Sequence, residues 1–495
     1  MSSLTELSAV ELRRRIGNKD ISPVELLEAC IERIEAIDPA VNAIAARGFG
    51  RARVEAKEAE AAVLRGDELG PLHGLPVGVK DLQDTEGLLT THGSPLYRDH
   101  IPKADAASVA LIRKGGGIVV AKTNVPEFGA GANSRNPLWG ATGNPFNPSL
   151  NAGGSSGGSA AALATDMLPI CTGSDTGGSL RIPAAICGIV GFRPSPGLVP
   201  MESRGLGWTP LSVVGPMGRD VADTRLLFAS QIGHDAREPL SHPLDPAEVS
   251  VYRPVDLGRL RVAWTTDFGQ CPVSPEIAQT MRRQMGAMGH LFAKCDEIDF
   301  DFGRADDCFD VMRALNFVAK HKASYDRDPS SLGPNVRANY EMGAAMSLAD
   351  AAWAHAEQTA IFRRFQELYR DYDLVMSPTT PVSPFPWTQL YLEELNGEKL
   401  RNYYHWLALT YFVTLVTNTS ISLPCGTDPS GMPFGLQIVG RFQGDIELLN
   451  ASQSLEQAFN GIDGLARPRP DLTKLTTPRS DLKSIVTAPP STQNN

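Results

Sequence analysis

Two serines and one lysine stand out by what surrounds them. Ser155 lies in Gly153-Gly154-Ser155-Ser156-Gly157-Gly158-Ser159, and Ser179 closes Gly173-Ser174-Asp175-Thr176-Gly177-Gly178-Ser179, 24 residues further on. Glycine tolerates positive φ and close backbone approach, so loops of this kind can aim several N–H groups at one point and form a nest for negative charge. A solvated Gly/Ser linker has similar composition, but Ala160 to Ala164 and Met167 to Cys171 are apolar and call for burial. Lys80 stands 75 residues before Ser155, at the end of His73-Gly-Leu-Pro-Val-Gly-Val-Lys80-Asp81. A lone lysine is ordinarily a solvated surface charge. Here the apolar run Leu75 to Val79 predicts a buried strand that draws the lysine stem inward.

The chemistry such a set suits is attack on a carbonyl, which needs a nucleophile, a base to take its proton, an acid for the leaving group, and donors for the oxyanion. No histidine sits in or beside either serine cluster, so the base would be lysine, and it must be neutral. Keeping a lysine neutral at pH 7 to 8, against a reference near 10.4, costs about 4 kcal/mol, and burial beside hydroxyls rather than carboxylates acts in that direction. Two rival motifs fit less well. Gly153-x-Ser155-x-Gly157 matches a nucleophile elbow, but an elbow needs an apolar strand before it, and Pro145 to Asn151 is turn-rich. Ser480-Asp-Leu-Lys483 spells a Ser-x-x-Lys tetrad, but it lies in a polar C-terminal tail. Gly116 to Thr123 approximates a phosphate loop except that Ala121 replaces a required glycine. His73, His92 and His405 have no metal-ligand spacing, and neither a metal nor a cofactor is expected.

Lysine, first serine and second serine in this order and spacing, with Ser179-Leu-Arg181-Ile-Pro-Ala184 after the second cluster, resemble the amidase signature family, over about Leu4 to about Phe459. The resemblance implies that Ser179 is the nucleophile, Ser155 the relay, held through a cis Gly154-Ser155 peptide, and Lys80 the general base and then acid. It further implies an oxyanion hole from the backbone N–H groups of Thr176, Gly177, Gly178 and Ser179, with Ser156 bracing the lysine and Asp175 and Arg181 supporting the loop. Gly129 to Gly131 would wall the substrate cavity. Trp139 and Tyr404 join that wall as aromatic candidates, from a set that includes Phe146, Phe385, Trp387, Tyr403, Trp406, Tyr411 and Phe412. Two functions share these motifs: a stand-alone hydrolase of amides, or of carbamates or esters with apolar groups, and the amidase subunit of a glutamine-dependent tRNA amidotransferase. After Gln231 the sequence Ile232-Gly-His-Asp-Ala-Arg-Glu-Pro lacks the Asp/Ser-rich segment associated with that subunit, which favours the hydrolase.

Alternating strands and helices predict an α/β protein: one large domain with a mixed central sheet covered by helices on both faces. Strands are expected at Leu75 to Val79, Gly117 to Ala121, Leu260 to Trp264, Tyr372 to Met376, Thr419 to Leu423 and Pro433 to Val439. A helix should start at Ser22-Pro23-Val24-Glu25, which combines a serine N-cap, proline at the first helical position and a capping glutamate. The chain divides into an N-terminal helical scaffold (1–66), the catalytic core (67–220), a mainly helical substrate-side region (221–370), a return to the same sheet (371–479) and a disordered tail (480–495). With 42% hydrophobic and 21% charged residues the composition is that of a globular protein. The net charge of −10 disfavours nucleic acid or an anionic membrane as partner. Seven scattered cysteines without a C-x-x-C pair read as free thiols of a cytoplasmic protein. The expected partners are a small-molecule amide or carbamate and at most a second copy of the chain, as a homodimer.

Overall fold

The computed structural model describes residues 4–491. Eleven strands form one sheet: β1 (Ile44–Arg47), β2 (Pro76–Lys80), β3 (Ile118–Thr123), β4 (Ile170–Asp175), β5 (Val190–Arg193), β6 (Val213–Gly218), β7 (Arg261–Trp264), β8 (Lys294–Glu297), β9 (Leu374–Pro378), β10 (Ser420–Thr427) and β11 (Pro433–Val439). Their order is β1-β3-β2-β4-β6-β5-β10-β11-β9-β7-β8. The sheet is mixed, parallel where β2 lies between β3 and β4 and where β7 lies between β8 and β9, antiparallel elsewhere. Alternate residues of one strand enter different cores: Val375 packs with one helical layer, Leu374 and Met376 with the other. That alternation is what a strand covered on both faces requires.

The six strands anticipated from sequence all exist, Pro433–Val439 with the same ends and the others with ends displaced by at most four residues. Ser22 caps the helix Pro23–Val41 as expected: its hydroxyl accepts from Glu25 N, and the Glu25 carboxylate accepts from Ser22 N. The helix Gly157–Ala164 is buried throughout and runs directly from the first serine cluster. Its small residues let it lie against the sheet: a Cβ on Gly158 would stand 2.2 Å from Asn124 N and 2.6 Å from Ala43 O. Thus the glycines of this cluster are as much a packing device as a loop device.

The C-terminal tail departs from expectation. Ser480–Lys483 forms a 3-10 turn, and Leu482 is buried against Trp387 and Ala141. Ser491 donates through N and Oγ to Asp99. Leu482 and these hydrogen bonds outweigh the polar composition around them, and only 492–495 of the expected tail lie outside the described residues. The Ser480/Lys483 pair is exposed on this surface turn. No described helix is long and apolar enough to cross a membrane.

Candidate active site

Lys80 ends β2 with 0% exposure, where the strand register brings it beside Thr123 of β3 and its N–H donates to Thr172 Oγ1 of β4. Its Nζ lies 2.8 Å from Ser155 Oγ, 2.8 Å from Ser156 Oγ and 2.9 Å from Ser174 Oγ. Burial pushes this amine down to about 7, with only Asp175 opposing at a distance. Ser155 and Ser156 lie where the chain, with a cis Gly154-Ser155 peptide, turns into the helix Gly157–Ala164. Ser174 was not singled out from sequence as a lysine partner. The signal was available: Thr172 and Ser174 share one side of β4, the neighbour of the lysine strand.

Asp175 ends β4 and anchors the loop that follows. Its carboxylate takes Arg181 in a two-pronged pair (Nε to Oδ2 3.0 Å, Nη2 to Oδ1 3.0 Å) and Arg193 Nη1 at 3.2 Å, all three side chains fully buried. Burial alone would raise this carboxyl, but the two guanidinium groups outweigh it and hold it well below the usual range. Arg181 continues to Gln437 Oε1 of β11 at 2.6 Å and to Thr410 O and Thr414 Oγ1 of the helix Ala408–Leu415. Thr410 Oγ1 in turn donates to Gly177 O. The last strands and helix therefore clamp the loop of the second serine cluster.

Within that loop the backbone donors divide. Gly178 N–H is spent on Asp175 Oδ1 at 2.8 Å, which removes it from the predicted oxyanion donors. Its φ of +117° and the contact a Cβ would make with Thr410 Oγ1, at 2.3 Å, explain why glycine stands there. The N–H groups of Thr176, Gly177 and Ser179 have no hydrogen-bond acceptor among the described residues. Ser179 is half-buried, and its Oγ likewise has no partner among them.

Ser155, Ser174, Thr176, Gly177 and Ser179 all open onto one cavity of about 460 Å³. Gly129 and Gly131 do line it, as expected, and a Cβ on Gly129 would come within 3.3 Å of Ser155 Oγ. Tyr404 lines it together with Tyr403, Phe128, Phe309, Phe317 and Leu407. Trp139 does not: it is 8% exposed in an apolar cluster with Leu89 and Leu138, and its Nε1 donates to Thr91 Oγ1. Of the remaining aromatics, Trp406 packs on Phe385, Tyr411 stacks on the back of Phe309 (4.2 Å, 8°), and Phe412 meets Phe302. So the aromatic segment between the last strands is mainly core, with two tyrosines turned to the cavity. One whole side of the wall, the helix Ala305–Arg327, came from the stretch whose sequence offered least. Asp84 and His92 of the cavity lining, with His100, bring three donor atoms within 4.8 Å of one another, a proximity the chain spacing did not show.

An amide-cleaving enzyme is the class that this fold and lysine–hydroxyl cluster define, and comparison with known proteins agrees. The family model described as Amidase matches residues 25–449. An acylamidase of Rhodococcus erythropolis is 33% identical over 460 residues, covering 91% of this chain and 95% of that protein. A subunit of the glutamyl-tRNA(Gln) amidotransferase of Moorella thermoacetica is 33% identical over 496 residues, 94% of this chain and 98% of that one. Among solved structures, a bacterial aryl acylamidase of the amidase signature enzymes superposes with a TM-score of 0.85 at 27% identity, over 92% of this chain and 97% of that chain. The chain belongs to the amidase family.

Proposed function

We propose that this enzyme cleaves the carbon–nitrogen bond of amides bearing an aromatic or alkyl group, through an acyl-enzyme on Ser179, with Lys80 as base acting through Ser155. The observation that carries the proposal is the buried amine in contact with three hydroxyls beneath the cavity that Ser155 and Ser179 share. A neutral amine has two N–H bonds and one lone pair, so among three hydroxyl neighbours at least one is free to donate to it. Ser155 and Ser174 are the neighbours that also face the cavity, and the order and spacing of the motifs favour Ser155 as the relay. In the forward step Ser179 Oγ adds to the substrate carbonyl, its proton passes to Ser155 Oγ, and the Ser155 proton passes to Lys80 Nζ. The oxyanion is received by the free N–H groups of Thr176, Gly177 and Ser179. Return of the proton along the same path to the departing nitrogen releases the amine, and water repeats the sequence to free the acid.

The cavity supports the substrate class. Burying a phenyl ring against Phe309, Phe317, Tyr403 and Tyr404 would contribute about 2 to 3 kcal/mol, or roughly a 30- to 150-fold preference over a short polar amide. Carbamates fit the same route, which needs only a carbonyl and a leaving group. The similarity to an acylamidase supports this class, while the similarity to the amidotransferase component supports the other reading, in which the physiological amide is glutamine. Seven free cysteines, six of them buried, support a cytoplasmic setting. Labelling with a serine-directed phosphonate and mapping the adduct tests the assignment: label on Ser179 is expected, and label on Ser155 instead would overturn it. Comparing kcat/KM for an anilide, an aryl carbamate, acetamide and glutamine with the chain alone tests the substrate. Faster turnover of glutamine or acetamide would establish the other reading.

A further inference from the structure

We infer that Arg313 reads a carboxylate on the substrate, so that the amides this enzyme takes carry an acidic group beside their aromatic or alkyl body. The inference rests on the amide-hydrolase reading of the same cavity. Phe309, Arg313, Asn316, Phe317 and Lys320 share one face of the helix Ala305–Arg327 and all line the cavity. The arginine is 7% exposed. Its Nε donates to Asn339 Oδ1 at 3.2 Å and its Nη2 to Tyr403 Oη at 2.7 Å. Those two bonds fix the plane of the guanidinium and leave Nη1 and the second Nη2 hydrogen uncommitted, the end-on edge that matches a carboxylate. Aromatic rings hold it further: its Cζ is 5.0 Å from the Phe317 centroid, 5.0 Å from Tyr404 and 5.7 Å from Tyr403.

What is missing is a counter-charge. Two other arginines of the cavity have one, Arg204 with Glu238 and Arg237 with Asp235. Arg313 has no carboxylate within ion-pair distance among the described residues. Asp310, one turn earlier on the same helix, is taken by Arg401, Asn402 and Tyr404 Oη. The acids that line the cavity are placed elsewhere: Asp84 pairs with His92, Asp105 with Arg113, and Glu202 accepts from Ala107 N. Lys320, over the Phe128 ring at 5.4 Å, is a second cation without an ion-pair partner among the described residues, two turns nearer the helix end. A buried guanidinium is costly to leave unpaired, and a ligand carboxylate would complete it.

Position sets where that carboxylate must be. Phe309 abuts Gly177 of the oxyanion loop, and Arg313 follows it by one helical turn, about 6 Å along the axis. The acidic group therefore sits a few bonds from the scissile carbonyl.

Two matched pairs of anilides test this with the purified chain: succinanilate against butyranilide, with the acid on the acyl side, and 4-acetamidobenzoate against 4′-methylacetanilide, with the acid on the amine side. The expected result is that in at least one pair the acid has the higher kcat/KM, by about 10- to 100-fold and mostly through KM. Arg313→Ala should erase that ratio, and Arg313→Lys should restore part of it. A neutral member preferred in both pairs, or an acid-to-neutral ratio unmoved by Arg313→Ala, would overturn the inference while leaving the hydrolase reading intact. No hydrolysis of any of the four anilides would overturn both. Should the variant fail to fold, wild-type inhibition decides: 3-phenylpropionate must inhibit more tightly than 3-phenylpropanol, and the reverse order sinks the assignment.

Discussion

The floor of the cavity and its wall are built on opposite rules. On the floor the charged groups are spoken for: Lys80 has three hydroxyls, Asp175 has two arginines and the Gly178 and Leu180 N–H groups, and Arg181 has Asp175, Gln437, Thr410 and Thr414. On the wall, Arg313 and Lys320 have no ion-pair partner among the described residues, and aromatic faces stand open to the cavity. A saturated network holds its members in one geometry, which a proton path needs. Uncommitted groups are energy held back for a ligand to collect. With the roles proposed for Lys80 and Arg313, the difference separates chemistry from selection, and substitutions on the two sides should fail differently.

The largest effect is expected on the floor. Lys80→Ala should lower kcat by about three orders of magnitude or more, since members of one proton path act as a unit, while circular dichroism shows an unchanged fold. Near wild-type turnover would remove the lysine from the mechanism and leave the floor a merely structural knot. Asp175→Asn comes next, as a stability effect. It strands two buried guanidinium groups, and breaking a buried pair from one side costs about 3 to 5 kcal/mol. A denaturant midpoint unmoved by this substitution would mean that the loop of the second cluster is held by the Thr410–Gly177 contact without the two arginine pairs.

On the wall the response should be graded and specific to the substrate. Phe317→Ala removes a ring from the cavity and the stacking partner of Arg313, so the ratio of kcat/KM for an anilide over acetamide should fall about tenfold, in line with a loss near 1.5 kcal/mol. Equal losses on both substrates would place Phe317 with the floor and blur the comparison.

The same division explains what could be seen in the sequence. The floor is local: three short motifs carry nearly all of it, and the apolar run Leu75 to Val79 that leads into Lys80 announces the burial of the lysine. The wall is assembled by tertiary contact. Arg313 and Phe317 sit in an amphipathic helix whose pattern says only that one face is buried, not that this face turns to a cavity. Trp139 failed as a predicted wall residue for the converse reason: a glycine-rich loop near the serines suggested proximity, while its indole had an apolar cluster and Thr91 to satisfy it. Gly178 failed because a carboxylate three residues away competes for its N–H, a contact that composition does not reveal. The tail shows the limit of composition from the other side, since a buried leucine together with hydrogen bonds from Arg479, Thr487 and Ser491 holds a polar segment against the body of the protein.

The smallest expected effect tests whether the floor is poised as the chemistry demands. Because Lys80 is pushed down to about 7, activity should rise with pH on a limb centred near that value, as the neutral amine forms. Stability must carry the same signature with a defined sign. In the unfolded chain the lysine stays protonated up to its ordinary value near 10.5, whereas in the folded protein it is neutral above about 7. Between these limits the unfolded state binds the extra proton, so raising the pH destabilises the unfolded state and stabilises the fold. Below about 7 both states are protonated and the full cost of the buried lysine is present. Lys80→Met has no such proton, and whatever its three hydroxyl neighbours lose is the same at every pH. The unfolding free energy of the wild type, minus that of Lys80→Met, should therefore climb from pH 7.5 to 8.5 by at most about 1.4 kcal/mol. Urea titrations of both proteins at the two pH values measure it. A flat difference would mean that the folded lysine is still charged, and the floor could then no longer be set apart as the site of proton transfer.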